Sequence, residues 1–323
     1  LYGADIKFVR ELSSAKHSPD VVPATALGRL LAGLELRRLA QAPAIAIVPC
    51  DNMPSNGRLV HAALEDLAAQ VSDALVEYVA HNVSCVSTSV DPITPAMTAD
   101  DLLVAKRGIG LVDLAPVVTE PYADWVLCGE FPSGRPAWEE AGATFVDDIG
   151  PFETRKLWLL NGAHSLLAYS ARARGHQTVD QAISDRACVA EVQNFWVEAA
   201  TNLPPQIDVS TYTDALLTRF ANPRIAHQLD QIANDGSLKL AVRVAPILKA
   251  ELAQGRDGAG SARAIAAWIE CARHSELGTD PKRDDIDRLV RTAESARAYI
   301  ALVDEELASS DTAVSAIEEL IRR

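Results

Sequence analysis

Hydrophobic positions change their period midway along this chain, and the change predicts two differently built halves. Pro43-Ala-Ile-Ala-Ile-Val48 is a short unbroken apolar run, the mark of a strand buried on both faces. It lies between a Leu/Arg-rich helical pattern over about 25–41 and an amphipathic one over about 57–80. Runs rich in β-branched and aromatic residues follow at 83–88, 110–114, 125–128 and 144–146. From about Pro151 onward the spacing is helical, predicting helices near 152–175, 178–201, 209–220, 224–235, 239–254, 260–273, 283–306 and 310–322. The expected organisation is an α/β domain over 1–150 and a mostly α-helical domain over 151–323, meeting near Gly150-Pro151. No internal repeat is visible, and the glycine-rich stretch 255–260 reads as a loop inside the second domain.

Composition narrows the classes of function. The 323 residues, 48% of them hydrophobic, suffice for two cores. A formal charge of −14 argues against a partner held through its phosphate backbone, because such binding rests on basic patches. Cys50, Cys85, Cys128, Cys188 and Cys271 are scattered without a Cys-x-x-Cys pair. That spacing predicts free thiols in a reducing cytoplasm, most of them small core residues, rather than a disulfide or zinc framework. No run of 18 apolar residues and no basic-then-apolar leader occurs, so neither a membrane span nor a signal peptide is expected. The chain opens on Leu1 rather than Met, which places its expected true start upstream.

The chemistry is concentrated in Lys156-Leu-Trp-Leu-Leu-Asn161-Gly-Ala-His164-Ser165. On an α-helix the lysine, asparagine and histidine fall at roughly 0°, 140° and 80° around the axis, with Glu153 at about 60°, so all can face one cleft. Oxidation of a secondary alcohol needs a base for the hydroxyl proton and donors for the oxygen that gathers charge as hydride leaves. A neutral Lys156 would take the proton, Asn161 would donate to the oxygen, and His164 would orient a second hydroxyl. A helix carrying a solvated lysine and two ordinary polar groups is the plainer alternative. Two other dehydrogenase solutions are absent: there is no Tyr-x-x-x-Lys, and the cysteines and histidines show no zinc-ligand spacing.

Lys156-x-x-x-x-Asn161-x-x-His164 resembles the signature of the polyol-specific long-chain dehydrogenases, the mannitol dehydrogenase family. Five further blocks extend the resemblance over roughly residues 44–250. They are Cys50-Asp51-Asn52 with Asn56-Gly57, Asn82-Val83-Ser84 with Val90-Asp91-Pro92-Ile93-Thr94-Pro95, and Val118-Thr119-Glu120-Pro121-Tyr122 with Gly134-Arg135-Pro136-Ala137-Trp138-Glu139. In the helical half, Arg219-Phe220-Ala-Asn222-Pro223 and Asp235-Gly236-Ser237-Leu238-Lys239-Leu240 complete the set.

The resemblance implies a Rossmann-type first domain, a helical second domain and a metal-independent oxidoreductase using NAD, with NADP as the open alternative. It implies Lys156 as general acid/base, Asn161 and Asn52 as the amides that polarise the reacting oxygen, and His164 as a substrate ligand. Asp91 and Lys239 stand in segments that line the family's polyol pocket; a turn-capping aspartate and a solvated lysine are equally good readings of them. Glu153 is placed to relay the lysine's proton, or simply to form an i,i+3 ion pair. The expected substrate is a linear polyol or aldonate, mannitol/fructose or mannonate/fructuronate, with no nucleic-acid or membrane partner, on a monomer or alternatively a homodimer. A non-catalytic sugar-binding or scaffold relative is the competing class. The chain departs from the pattern at Pro92 and Ala241, where the family has Arg and Pro, and among Gly3, Gly28 and Gly33 there is no Gly-x-Gly-x-x-Gly turn for a pyrophosphate. The intact lysine, asparagine and histidine favour missing amino-terminal residues over a degenerate cofactor site.

Overall fold

A computed structural model describes residues 3–14, 23–94, 97–274 and 276–321. Pro95 of the motif block, the opening Leu1 and the last position of the predicted 310–322 helix lie outside the described residues. Packing divides the chain into Leu1–Asp91 with Ala123–Glu153, and Pro92–Tyr122 with Thr154–Arg323. Residues 92–122 therefore pack with the helices rather than with the α/β residues that flank them in sequence.

In the α/β unit, β1 (Ile45–Ile47) pairs in parallel with β2 (Val83–Cys85), Ile45 opposite Val83. A second sheet orders β3 (Ser87–Val90), β4 (Trp125–Cys128) and β5 (Thr144–Phe145), with β3 antiparallel and β5 parallel to β4. The helices Gly3–Ser13, Ala26–Leu39, Asn56–Ala69 and Asp73–Asn82 supply most of its core, through Val9, Leu31, Leu34, Leu64, Leu75 and Val79. The amphipathic pattern expected as one helix over 57–80 breaks in two. Ser72 takes an extended conformation and its side chain accepts from Leu75 N at 3.3 Å, so a cap restarts the helix where a continuous one was predicted. The Gly3–Ser13 helix was not foreseen.

The helical unit is built around Ala259–Arg273, whose Ala262, Ala264, Ile265, Ala266, Ala267, Trp268 and Ile269 are all buried. That near-continuous burial makes it the central helix of the unit, with Arg263, Glu270 and Arg273 as its charged positions. Its neighbours Ala163–Ser170, Arg186–Thr201 and Asp311–Ile321 contribute Leu166, Leu167, Phe195 and Ile317 to the same core. The predicted helices are mostly present but subdivided. The 178–201 pattern breaks at the cap Asp185, the 239–254 pattern at Val244, and the 283–306 pattern into Arg283–Thr292, Ala296–Val303 and Glu305–Ser309. Only Leu229–Ile232 is helical within 224–235.

Residues 110–114, expected as a strand, form bends. They follow an unpredicted helix, Ala99–Ile109, that starts at a Thr98/Asp101 capping box and stops at Gly110 in the left-handed region (φ 71°). Alternating Leu and Val in 110–114 have no partner strand to bury against, and Leu111, Val112 and Leu114 are exposed. The excursion is tied to the helices by a buried ion pair, Arg219 Nη2 to Glu120 Oε1 at 2.7 Å, with the two side chains 4% and 2% exposed. Glu120 Oε1 also accepts from Ile93 N at 2.6 Å, and the Arg219 guanidinium lies 4.0 Å from the Tyr122 ring centre. Among the described residues no helix is long and apolar enough to cross a membrane.

Candidate active site of the helical unit

The lysine motif does not lie on an α-helix throughout. Gly150–Arg155 is α-helical, Lys156–Gly162 is a π-helix, and Ala163–Ser170 returns to α. The i→i+5 repeat brings residues five apart nearer to one face than the roughly 140° of an α-helix. Lys156 and Asn161, both half-buried, stand at that separation. Side chains from other helices satisfy the widened turn: Trp196 Nε1 donates to Leu159 O at 2.8 Å, and Arg243 Nη1 and Ser165 Oγ donate to Asn161 O at 3.3 and 3.1 Å. Gly162 is needed at its end, since a Cβ there would lie 2.6 Å from Phe195 Cζ. Short π-helical turns inside α-helices are frequent at functional sites.

His164 follows on the α-helical continuation and is buried, its ring stacked on Phe220 at 4.7 Å between centroids. Burial, then the positive neighbours His227, Arg243, Arg219 and Lys239, hold its pKa well below the usual histidine value, so it is a neutral imidazole. Its Nε2 is buried with no hydrogen-bond partner. Lys239 is on the helix Gly236–Arg243, which packs against the π-helical turn. The start of that helix is a fixed corner. Asp235 is left-handed (φ 56°), Gly236 leaves room for Tyr169 and Trp268, and Asp280 accepts from Ser237 N at 2.8 Å and Ser237 Oγ at 2.6 Å. Lys239 is half-buried, its Nζ donating to Ile232 O at 3.1 Å, so the freely solvated lysine is excluded. Burial, then Arg243, lowers its pKa.

The remaining predicted residues belong to the α/β unit. Asn52 is exposed on the turn after β1, while Asn56 of the same block is buried and acts as its scaffold. The Asn56 amide donates to Asp51 O and Thr88 O, both at 2.9 Å, and accepts from Thr88 N at 2.8 Å. Gly57 admits the close approach of the β2–β3 backbone, since a Cβ there would lie 2.5 Å from Ser87 N. Asp91 is buried, its N–H donating to Asp124 O at 3.1 Å. Glu153 accepts from Ser55 N at 2.7 Å, an anchoring contact that no spacing along the chain records.

His227 is the site neighbour that motif reading missed, because it is brought in by tertiary pairing, its carbonyl accepting from Val179 N at 3.1 Å. The cysteines are free, but only Cys188 and Cys271 are buried, fewer than expected. The fold also gathers His176, Asp185 and Cys188, ligand atoms within 4.8 Å of one another, which spacing along the chain did not reveal. Asp185 there caps its helix through Ala187 N at 2.8 Å and pairs with His176 at 3.1 Å. For a dinucleotide, the parallel β1–β2 pair offers strand ends of the kind such folds use. The pyrophosphate turn is not among the described residues, because Gly3, Gly28 and Gly33 all lie within helices.

Comparison with known proteins agrees with this architecture. The mannitol dehydrogenase Rossmann domain matches residues 12–140 and the mannitol dehydrogenase C-terminal domain residues 148–322. The chain is 34% identical over 268 residues to D-mannonate oxidoreductase of Escherichia coli K12, covering 82% of this chain and 54% of that protein. Pseudomonas fluorescens mannitol 2-dehydrogenase, solved as a ternary complex with NAD and D-mannitol, superposes with a TM-score of 0.75 and 31% identity over 98% of this chain and 66% of that one. A substrate-free D-sorbitol dehydrogenase gives 0.86 and 26%, over 100% and 68%. The chain spans between 51% and 64% of the length of the curated relatives it first matches. By its sequence and by its fold, the chain belongs to the mannitol dehydrogenase family.

Proposed function

We propose that this protein is a metal-independent oxidoreductase that interconverts a secondary alcohol of a linear polyol or aldonate with the corresponding ketone, using NAD. The observation that carries the reading is the π-helical turn that presents Lys156 and Asn161 from an externally braced backbone, with His164 sealed as a neutral imidazole just beyond it. NAD, when bound, supplies the acceptor for the hydride that leaves the alcohol carbon. Lys156 Nζ, in its neutral form, takes the hydroxyl proton as the carbon–oxygen double bond forms, and returns it in the reverse direction. The Asn161 side-chain amide donates to the oxygen on which charge develops. His164 Nε2, buried and unpartnered, is a hydrogen-bonding group for a second hydroxyl.

The experiment is a panel of hexitols, pentitols and aldonates assayed with NAD and with NADP. Reduction of either cofactor by at least one of these substrates is expected. No turnover with any of them, by protein shown to bind the cofactor, overturns the proposal.

A further inference from the structure

The short helix Val179–Ser184 is bracketed by three side chains of metal-binding type and different chemistry. His176 precedes it, Asp185 caps the helix that follows, Arg186–Thr201, and Cys188 stands in the first turn of that second helix. The fold turns all three toward one oxygen. His176 Nε2 lies 3.1 Å from Asp185 Oδ2, and Cys188 Sγ donates to the same oxygen at 3.7 Å. The imidazole nitrogen, the carboxylate oxygen and the sulfur all lie within 4.8 Å of one another. Zinc bonds of roughly 2.0–2.3 Å in a tetrahedron set neighbouring ligand atoms about 3.3–3.8 Å apart. The two separations from Asp185 already stand near that spacing.

The surroundings are those of a held site. Asp185 Oδ1 accepts from Ala187 N at 2.8 Å, which aims Oδ2 at the other two side chains. Cys188 is buried, while the His176 and Asp185 side chains are 24% and 29% exposed. The base of the cluster is therefore closed and its mouth reaches water, which gives an ion a route in and leaves room for a water as fourth ligand. Arg174, a cation within electrostatic reach of Cys188, is tied to Glu191 at 2.9 Å. A helix cap accounts for one oxygen of Asp185. It does not call for an imidazole and a thiol on the other.

We propose that His176, Asp185 and Cys188 form a binding site for a thiophilic divalent cation of the zinc class, outside the reaction, that braces one wall of the cavity beside His164. None of the three belongs to the Lys156–Gly162 turn. As the metal–sulfur bond forms, the Cys188 thiol releases its proton to solvent, and His176 binds as the neutral imidazole. A set of nitrogen, sulfur and one carboxylate suits Zn²⁺ and Cd²⁺ and disfavours Mg²⁺, which takes oxygen ligands. The bracing follows from what lies between the ligands. Val179 and Asp180 line the small cavity that His164 and His227 also line, Val179 N donates to His227 O at 3.1 Å, and Leu229 N donates to Gln177 O at 2.9 Å. Joining His176 to Asp185 and Cys188 through a metal fixes both ends of that stretch.

The test uses the full chain, stripped by a chelator that is then removed, and titrated calorimetrically with Zn²⁺ and separately with Mg²⁺. One equivalent of Zn²⁺ is expected at micromolar or tighter affinity, raising the thermal midpoint by about 4–8 °C at about a hundredfold excess over Kd. Cd²⁺ should bring the ultraviolet thiolate-to-metal charge-transfer band. Cys188→Ser and His176→Gln should each weaken Zn²⁺ by more than about 100-fold, beyond the loss seen for residues that only orient a ligand. Cys188→Ser should also lose the Cd²⁺ band, which His176→Gln keeps at saturating Cd²⁺. His176→Gln alters a partly exposed side chain, so it remains informative if the buried substitution disrupts folding. No Zn²⁺ binding, equal affinity for Mg²⁺, or Zn²⁺ binding unchanged in the variants, as coordination at another thiol such as exposed Cys50 would give, overturns the site. Zn²⁺ bound without a rise in the midpoint overturns the brace.

Discussion

The α/β unit and the helical unit place similar motif residues in opposite circumstances. After β1, the asparagine that motif resemblance nominates for chemistry, Asn52, is exposed on a turn, and its neighbour Asn56 is the buried residue that holds the turn to Thr88. In the helical unit the nominated residues ride on a helix whose irregular turn is held from outside by Trp196 and Arg243, and His164 is buried. A turn keeps its shape through the side chains of its own block. The brace on that helix comes from Trp196 and Arg243 rather than from the motif's own side chains. Substitution should therefore separate chemistry from stability cleanly in the helical unit, and in the α/β unit separate two residues of one motif.

The largest effect is expected at Lys156. Lys156→Ala should lower turnover by about 10²–10⁴-fold, the usual contribution of a positioned acid/base. A half-buried lysine outside the core should change stability by no more than about 0.5 kcal/mol. Steady-state kinetics beside a denaturant titration measures both, and activity within about threefold of wild type would remove Lys156 from the chemistry. Next comes Arg219, which belongs to a motif block and forms a buried ion pair with Glu120. Arg219→Met strands Glu120 in a site from which both side chains are almost wholly excluded from water, and should cost about 3–5 kcal/mol. A loss below about 1 kcal/mol in the urea midpoint would show that the 92–122 excursion is held by other contacts.

The third expected effect divides one motif. Asn56→Ala leaves Thr88 N without its acceptor and Asp51 O without its donor, and should cost about 1–3 kcal/mol. Asn52→Ala, on the exposed part of the turn, should stay within about 0.5 kcal/mol. Equal losses would mean that the turn has no division between scaffold and surface.

Much of this was legible in the sequence. Apolar runs and helical spacing located all five described strands and most of the helices, because burial imposes those patterns directly, but the run at 83–88 divides into β2 and β3 of different sheets and that at 110–114 forms bends. What spacing could not show was where helices break, since Ser72, Asp185 and Val244 interrupt patterns that stay apolar across them. The π-helical turn was equally invisible. It depends on Trp196, Arg243 and Gly162 meeting the Lys156–Gly162 segment from elsewhere in the fold or within it, and no local pattern records such a meeting. The Arg219–Glu120 pair is the converse case: both residues were visible as motif letters, but their separation by 99 positions hid that they serve each other.

The smallest effect concerns protons. His164 has its pKa held well below the ordinary histidine value of about 6.5, first by burial and then by His227, Arg243, Arg219 and Lys239, so the folded protein keeps it neutral while the unfolded chain can protonate it. Below about pH 6.5 the unfolded state binds the extra proton, and stability therefore falls as pH falls. The loss approaches about 1.4 kcal/mol per pH unit for this one group and is absent above pH 7. His227, whose pKa is lowered by burial and by Lys239, acts with the same sign. Denaturant midpoints measured between pH 5 and pH 8 should therefore decline on the acidic side, and His164→Gln should decline less steeply even if it starts from a lower value. Parallel declines in the two proteins would mean that His164 is hydrated and titrates freely, and would end its assignment as the sealed half of the comparison.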